Sequence, residues 1–292
     1  MGNFKNHWVS LKSDPLDKGG VILATPVPKL NLPLKRRCYA RAMTVCIAAR
    51  CKWEDGRNAL VLCADGRLDQ GEWGHSDTAN KFHALGWNFF GIMADQWATA
   101  RELCGYIESE HHKALGKPEN ADDAVTRFQR YAEAFSKSVL CTGNASVLVT
   151  GFIQERYPLL INVKIEDRQV IATIAHDLEV IGEGCYAALT MLKYRGYDPL
   201  GTPFPRASYL VYEAKRFSEN VSSVGPITRM KVHLPLKWEP LDRKARFIQH
   251  PEEETYEWRD FSPEALEQLE ELRKKSFLQP VPDFSFKGNV IE

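Results

Sequence analysis

The sequence lacks a surplus of charge of either sign. Lys and Arg number 38, Asp and Glu number 38, and the formal net charge is zero. That balance argues against nucleic acid or an anionic membrane surface as a partner. Cysteine is present but unpatterned: Cys38, Cys46, Cys51, Cys63, Cys104, Cys141 and Cys185 are odd in number, and no pair has zinc-ligand or CxxC spacing. A disulfide framework and a zinc module are therefore not expected, and a reduced, cytoplasmic protein is. There is no apolar run near the length of a membrane span and no signal-peptide core at the start, so no membrane association is expected. A phosphate loop of the G-x-x-x-x-G-K-[ST] type is also missing.

What is present divides unevenly. Residues 1–43 carry Lys5, Lys12, Lys18, Lys29, Lys35, Arg36, Arg37 and Arg41 against only Asp14 and Asp17, and Pro15, Pro26, Pro28 and Pro33 break any period. This reads as a basic, extended arm. The Lys35-Arg36-Arg37 cluster lacks the interleaved aromatics of a nucleic-acid surface. From Thr44 the pattern becomes regular. Strand-like runs at 44–50 and 59–65 flank the turn signal Asp55-Gly56, and a second pair at 80–85 and 88–94 surrounds Gly86. Trp97, Ala100, Leu103, Cys104 and Ile107 recur at helical spacing, and 121–137 forms a second amphipathic helix.

Strands are expected again at 145–153, 158–165, 168–175 and 178–182. A helix from near Cys185 to Gly196, another over 206–218 and a strand over 227–234 follow. Stacking two sheets between helix layers satisfies all these apolar faces in one α+β domain, residues 44–236. Residues 237–292 read as an extension with one helix, Ser262 to about Ser276, having Ser262 as N-cap and Pro263 at N1. Tyr256, Trp258 and Phe261 in this tail are expected to pack on the domain or a neighbour.

Three residues at strand ends carry chemistry. Thr44 opens Thr44-Val45-Cys46-Ile47-Ala48-Ala49, Asp65 ends the next strand before Gly66, and Lys81 lies in Asn80-Lys81-Phe82-His83. A threonine hydroxyl is a weak nucleophile and needs a base within hydrogen-bond reach. An α-amine, with a pKa of about 7.7–8.0, suits neutral pH better than a lysine. A threonine at a chain start therefore carries its own base. A nearby ammonium such as Lys81 keeps that amine neutral, and Asp65 holds the ammonium with roughly 4 kcal/mol of attraction at about 4 Å in a medium of intermediate dielectric. Taken singly, each has a bland role: strand residue, turn residue and solvated strand lysine.

The ordered set resembles proteasome β-type subunits and their bacterial peptidase relatives, all N-terminal nucleophile hydrolases. The residues that carry the resemblance are the three segments above with Ala64-Asp65-Gly66-Arg67, Gly91-Ile92-Met93-Ala94, Val149-Thr150-Gly151-Phe152, Val180-Ile181-Gly182-Glu183-Gly184 and Asn220-Val221-Ser222-Ser223-Val224-Gly225. It spans about residues 44–234. The resemblance implies a four-layer αββα sandwich of two antiparallel sheets between helix layers, hydrolysis of peptide bonds in peptides or unfolded proteins, and self-association into rings. It also implies a separate ATPase wherever substrates need unfolding. Carried over residue by residue, it makes Thr44 the nucleophile, Asp65 the partner of Lys81, and the backbone N–H near Asp95 the oxyanion donor. It puts Glu219 or Asn220 and Ser222 or Ser223 at the late active-site positions.

Three positions depart from that pattern. Asp95 stands where catalytic subunits usually have glycine, Glu183 where many have serine, and Ala42-Met43 precede Thr44 in place of the usual cleavage-site glycine. Translation from Met43 with ordinary methionine removal exposes Thr44 without self-cleavage. The alternatives are a catalytically silent structural subunit and an amidohydrolase acting on a small amide. Met93 and Trp97 are core or substrate-pocket wall, and both enter the candidate site as pocket residues. No cofactor or metal is expected: His111 and His112, adjacent on a helix, point apart.

Overall fold

A computed structural model describes residues 44–69, 75–77, 79–114, 116–154, 156–235, 257–276, 279–281, 283–288 and 290–291. The basic arm over 1–43, with its Lys35-Arg36-Arg37 cluster and Met43, lies outside the described residues, as does Tyr256.

Continuous apolar runs form strands with both faces covered. β1 (Cys46–Lys52) and β2 (Asn58–Asp65) pair antiparallel from Cys46↔Ala64 to Lys52↔Asn58. Their connection turns at Gly56, whose φ of 81° is open to a residue without a Cβ. A short hairpin, β3 (Leu68–Asp69) with β4 (His75–Ser76), follows. Next come β5 (Phe82–Gly86) and β6 (Phe89–Asp95), then the helices α1 (Trp97–Lys113) and α2 (Ala121–Ser136), the latter capped by the Asn120 side chain on the Asp123 N–H. β7 (Ala145–Ile153), β8 (Tyr157–Glu166) and β9 (Gln169–Ala175) complete a sheet of order β5-β6-β7-β8-β9. β10 (Leu178–Ile181) crosses to the other sheet and pairs with β1.

After it come α3 (Cys185–Tyr194), α4 (Phe204–Ser218) and β11 (Thr228–Leu234), which pairs with β2. The C-terminal region contributes more than the single helix expected of it. β12 (Glu257–Asp260) adds an edge strand to β11, giving the order β10-β1-β2-β11-β12. Four residues, three of them charged, carry no alternation that a sequence could display. α5 (Pro263–Ser276) then begins where the Ser262 hydroxyl accepts from the Ala265 N–H. Trp258 packs on Phe90, and Phe261 lies against Phe204.

Strand alternation divides the interior into three layers. Ile47, Ala49, Val61 and Cys63 face α3 and α4 in one core. Met93, Val147, Val149 and Ile161 face α1 and α2 in another. Between the sheets lie Cys46, Ala48, Leu60, Leu62, Phe90, Ile92 and Leu148. The result is an α+β four-layer αββα sandwich of two antiparallel sheets. Each fully buried Leu, Ile or Phe in these layers contributes roughly 1.5–3 kcal/mol. Among the described residues, no helix is long and apolar enough to cross a membrane.

Candidate active site

At one end of the inter-sheet layer, polar side chains from three elements converge. Thr44 precedes β1 and Asp65 ends β2, so the pairing of these strands brings the two together, while Lys81 precedes β5 in the other sheet and reaches them across the inter-sheet layer. The Thr44 hydroxyl donates to Asp65 Oδ1 at 2.6 Å. Lys81 Nζ donates to the same Oδ1 at 2.5 Å and to Thr44 Oγ. The three are 2%, 0% and 3% exposed for Thr44, Asp65 and Lys81, so the ion pair is almost dry. Burying such a pair costs several kcal/mol per ion unless further hydrogen bonds complete it. Here the Val45 N–H reaches Oδ1 at 3.4 Å and the Gly225 N–H donates to Oδ2 at 2.8 Å.

Glycines let the surrounding backbone come close. Gly182 has φ of 94°, and a Cβ there would collide with the Thr44 carbonyl. The Gly184 N–H in turn donates to that carbonyl at 3.2 Å. At Gly225 a Cβ would lie 2.6 Å from Arg67 Cβ, so only glycine allows its N–H to reach Asp65. Cys46 adds a thiol 3.8 Å from Thr44 Oγ, which donates to the Met93 carbonyl at 3.3 Å. Burial pushes that thiol up to about 12 against the opposing pull of Lys81, which keeps it a neutral donor.

The remaining expected residues separate. Asp95 sits at the end of β6 in left-handed conformation, φ 65°, and its carboxylate accepts from the Ser146 hydroxyl. Ser223 is the inward member of its pair: it is buried, and its Oγ has no hydrogen-bond partner among the described residues. Ser222 is exposed, and its carbonyl accepts from Arg67. Glu219 is engaged by Lys215 and Arg216, while exposed Asn220 turns back to the Phe217 carbonyl. Glu183 lies half-buried between Gly182 and Gly184.

Met93 belongs to the layer under the helices. Odd-numbered positions of this part of β6 face the helices, so its side chain packs with Leu103 and Val147 and only its carbonyl meets the site. Trp97 opens α1 half-buried, with Arg101 stacked 5.1 Å from its ring centre and its Nε1 buried without a hydrogen-bond partner among the described residues. His111 is sealed among Phe89, Phe128 and Tyr131, while His112 lies beside Gly86. Among the described residues, no cluster of three His, Cys, Asp or Glu could hold a metal ion.

Sequence reasoning passed over the Gly225 N–H, the Val45 N–H and the Ser146 hydroxyl. Gly225 closes a segment already singled out, so its presence carried a signal. Backbone donors have none beyond the turn that aims them.

No family model matches the sequence, and no curated protein does. Among solved structures the chain is similar to Anbu (ancestral beta-subunit) from Yersinia bercovieri, with a TM-score of 0.50 and 17% identity over 65% of this chain and 81% of that one. At that identity the likeness speaks for architecture alone: the described domain has the proteasome-like sandwich fold.

Proposed function

We propose that this chain is a threonine-type N-terminal nucleophile hydrolase that cleaves peptide bonds once Thr44 is the first residue. The observation that carries the reading is the buried triangle of Thr44 Oγ, Asp65 Oδ1 and Lys81 Nζ. A strand residue with no further role has no need of a desolvated ion pair on its hydroxyl. In this reading the freed Thr44 amine accepts the hydroxyl proton, directly or through water, and Oγ attacks the carbonyl carbon. The Lys81 ammonium lowers the amine's proton affinity and steadies the oxygen as charge develops. A backbone N–H near Asp95 would receive the carbonyl oxygen, a contribution of roughly 3–4 kcal/mol in other hydrolases. The amine then delivers its proton to the leaving nitrogen, and water releases the acyl group from the resulting ester. Ser223 is assigned the late position, and Trp97 the mouth of the site.

Ring-forming self-association, substrates presented as unfolded chain, and a separate ATPase belong to the same reading. So does a cytoplasmic setting, which the free thiols of Cys46, Cys51, Cys63, Cys104, Cys141 and Cys185 support. The basic arm over 1–43 is then a removable segment, and the region after 236 an extension of the domain. A second reading, the silent structural subunit, draws on Asp95, which stands where the resemblance expects glycine and whose carboxylate accepts from Ser146. Thr44→Ala separates them. In the hydrolase reading the variant assembles as the wild type does and loses about 10³-fold or more of its hydrolysis of fluorogenic peptide amides. A wild type that begins at Thr44 and cleaves no peptide amide selects the structural subunit.

A further inference from the structure

Lys215 lies in the last turn of α4, a helix whose Tyr209, Leu210, Val211 and Ala214 are also buried, and it is 0% exposed. Its ammonium donates to Glu219 Oε1 at 2.5 Å and to the Gly225 carbonyl at 2.8 Å. One buried cation thus closes the loop from 219 to 225. The N–H of the same Gly225 is the donor to Asp65 Oδ2. We propose that Lys215 is a positioning residue: by holding the Gly225 carbonyl it aims the Gly225 N–H at Asp65 and fixes the carboxylate on which Thr44 and Lys81 converge.

A lysine in the last turn of a helix has an ordinary explanation in the helix dipole, worth about 0.3–1 kcal/mol. That explanation is met by the neighbouring Arg216, which is only partly buried and binds Glu219 and the Pro226 carbonyl. It does not account for sealing an ammonium inside an apolar layer, which costs several kcal/mol. Burial shifts the Lys215 ammonium downward against the opposing pull of Glu219. The bond to Gly225 gives that burial a purpose. Gly225 cannot be held by a side chain of its own, because a Cβ there would strike Arg67. Arg67 anchors the middle of the same loop through the Ser222 carbonyl and is itself paired with Asp77. Lys215 is the member of this set that hydrogen-bonds to Gly225, the residue whose N–H donates to Asp65.

The kinetic consequence rests on the hydrolase reading, whereas the positioning does not. In the chain that begins at Thr44, Lys215→Met should lower kcat for a fluorogenic peptide amide at least tenfold with KM within twofold. It should also speed amide hydrogen exchange at Gly225, read by mass spectrometry with residue-level fragmentation. Lys215→Gln keeps an N–H donor and should recover part of both. A lower Tm with kcat per folded site and Gly225 exchange unchanged overturns the proposal, and so does a glutamine variant no better than the methionine one. If neither variant folds, the wild type decides: Gly225 must exchange as slowly as the centre of β2, and fast exchange there overturns the proposal. Exchange is read without turnover, so a wild type lacking activity refutes the hydrolase reading alone.

Discussion

Two almost fully buried ion pairs lie in the same domain and serve different ends. Lys81 and Asp65 meet at 2.5 Å with side chains 3% and 0% exposed, and Arg195 and Glu213 meet at 2.7 Å with 5% and 0%. Burial and distance do not distinguish them; their third partners do. Arg195 turns its remaining donors to the carbonyls of Ser276 and Gln279, and Glu213 accepts from the Tyr209 phenol. Burial and the adjacent Glu213 carboxylate push that phenol upward, so it stays protonated. Every group in this network ends on an inert partner, and its effect is to tie the segment after α5 to α3 and α4. In the other pair both charges converge on a hydroxyl. A dry ion pair is weak evidence of function until it holds something that can react.

The contrast breaks most sharply under Lys81→Met. That change leaves the Asp65 carboxylate buried without its cation, destabilising the fold by about 3–5 kcal/mol. Hydrolysis of a peptide amide per folded molecule should fall by about 10²-fold or more. Glu213→Gln strands the Arg195 charge and should cost about 3 kcal/mol in denaturant unfolding while kcat stays within twofold. Equal loss of kcat in both variants would erase the distinction between the two pairs.

A smaller effect belongs to His111, a buried imidazole whose ring nitrogens have no hydrogen-bond partner among the described residues. Burial first, then the charges of Arg127 and His112, lowers it to about 4 from an ordinary 6.5. Below pH 6.5 the unfolded chain therefore binds a proton that the folded one refuses. Stability is complete above that pH and declines as pH falls toward 4. Unfolding free energies at pH 7 and 4.5 should differ by about 2 kcal/mol more in the wild type than in His111→Phe. Identical pH slopes would show that His111 is not held neutral.

What the sequence displayed follows from physics that acts over short distances. β1, β2 and β7 are apolar on both faces, and α2 is strongly amphipathic, so period and run length revealed them. Thr44, Asp65 and Lys81 were legible because strand ends put a polar residue beside an apolar run. β12 was hidden, being a short, charged edge strand created by pairing with β11. Met93 was ambiguous because a strand's facing depends on which layer covers it, and that is set by sheet stacking. Lys215 carried no signal: nothing in its sequence neighbours discloses that its ammonium is held on the Gly225 carbonyl.

The central claim is that Thr44 reacts as the first residue of the chain. Intact-mass measurement of the protein isolated from its own cells, with peptide-amide hydrolysis assayed on the same sample, tests it most directly. The expected mass is that of a chain that starts at Thr44, with turnover that Thr44→Ala abolishes. A chain that retains residues ahead of Thr44 while hydrolysing peptides, or one that starts at Thr44 and hydrolyses none, would contradict it.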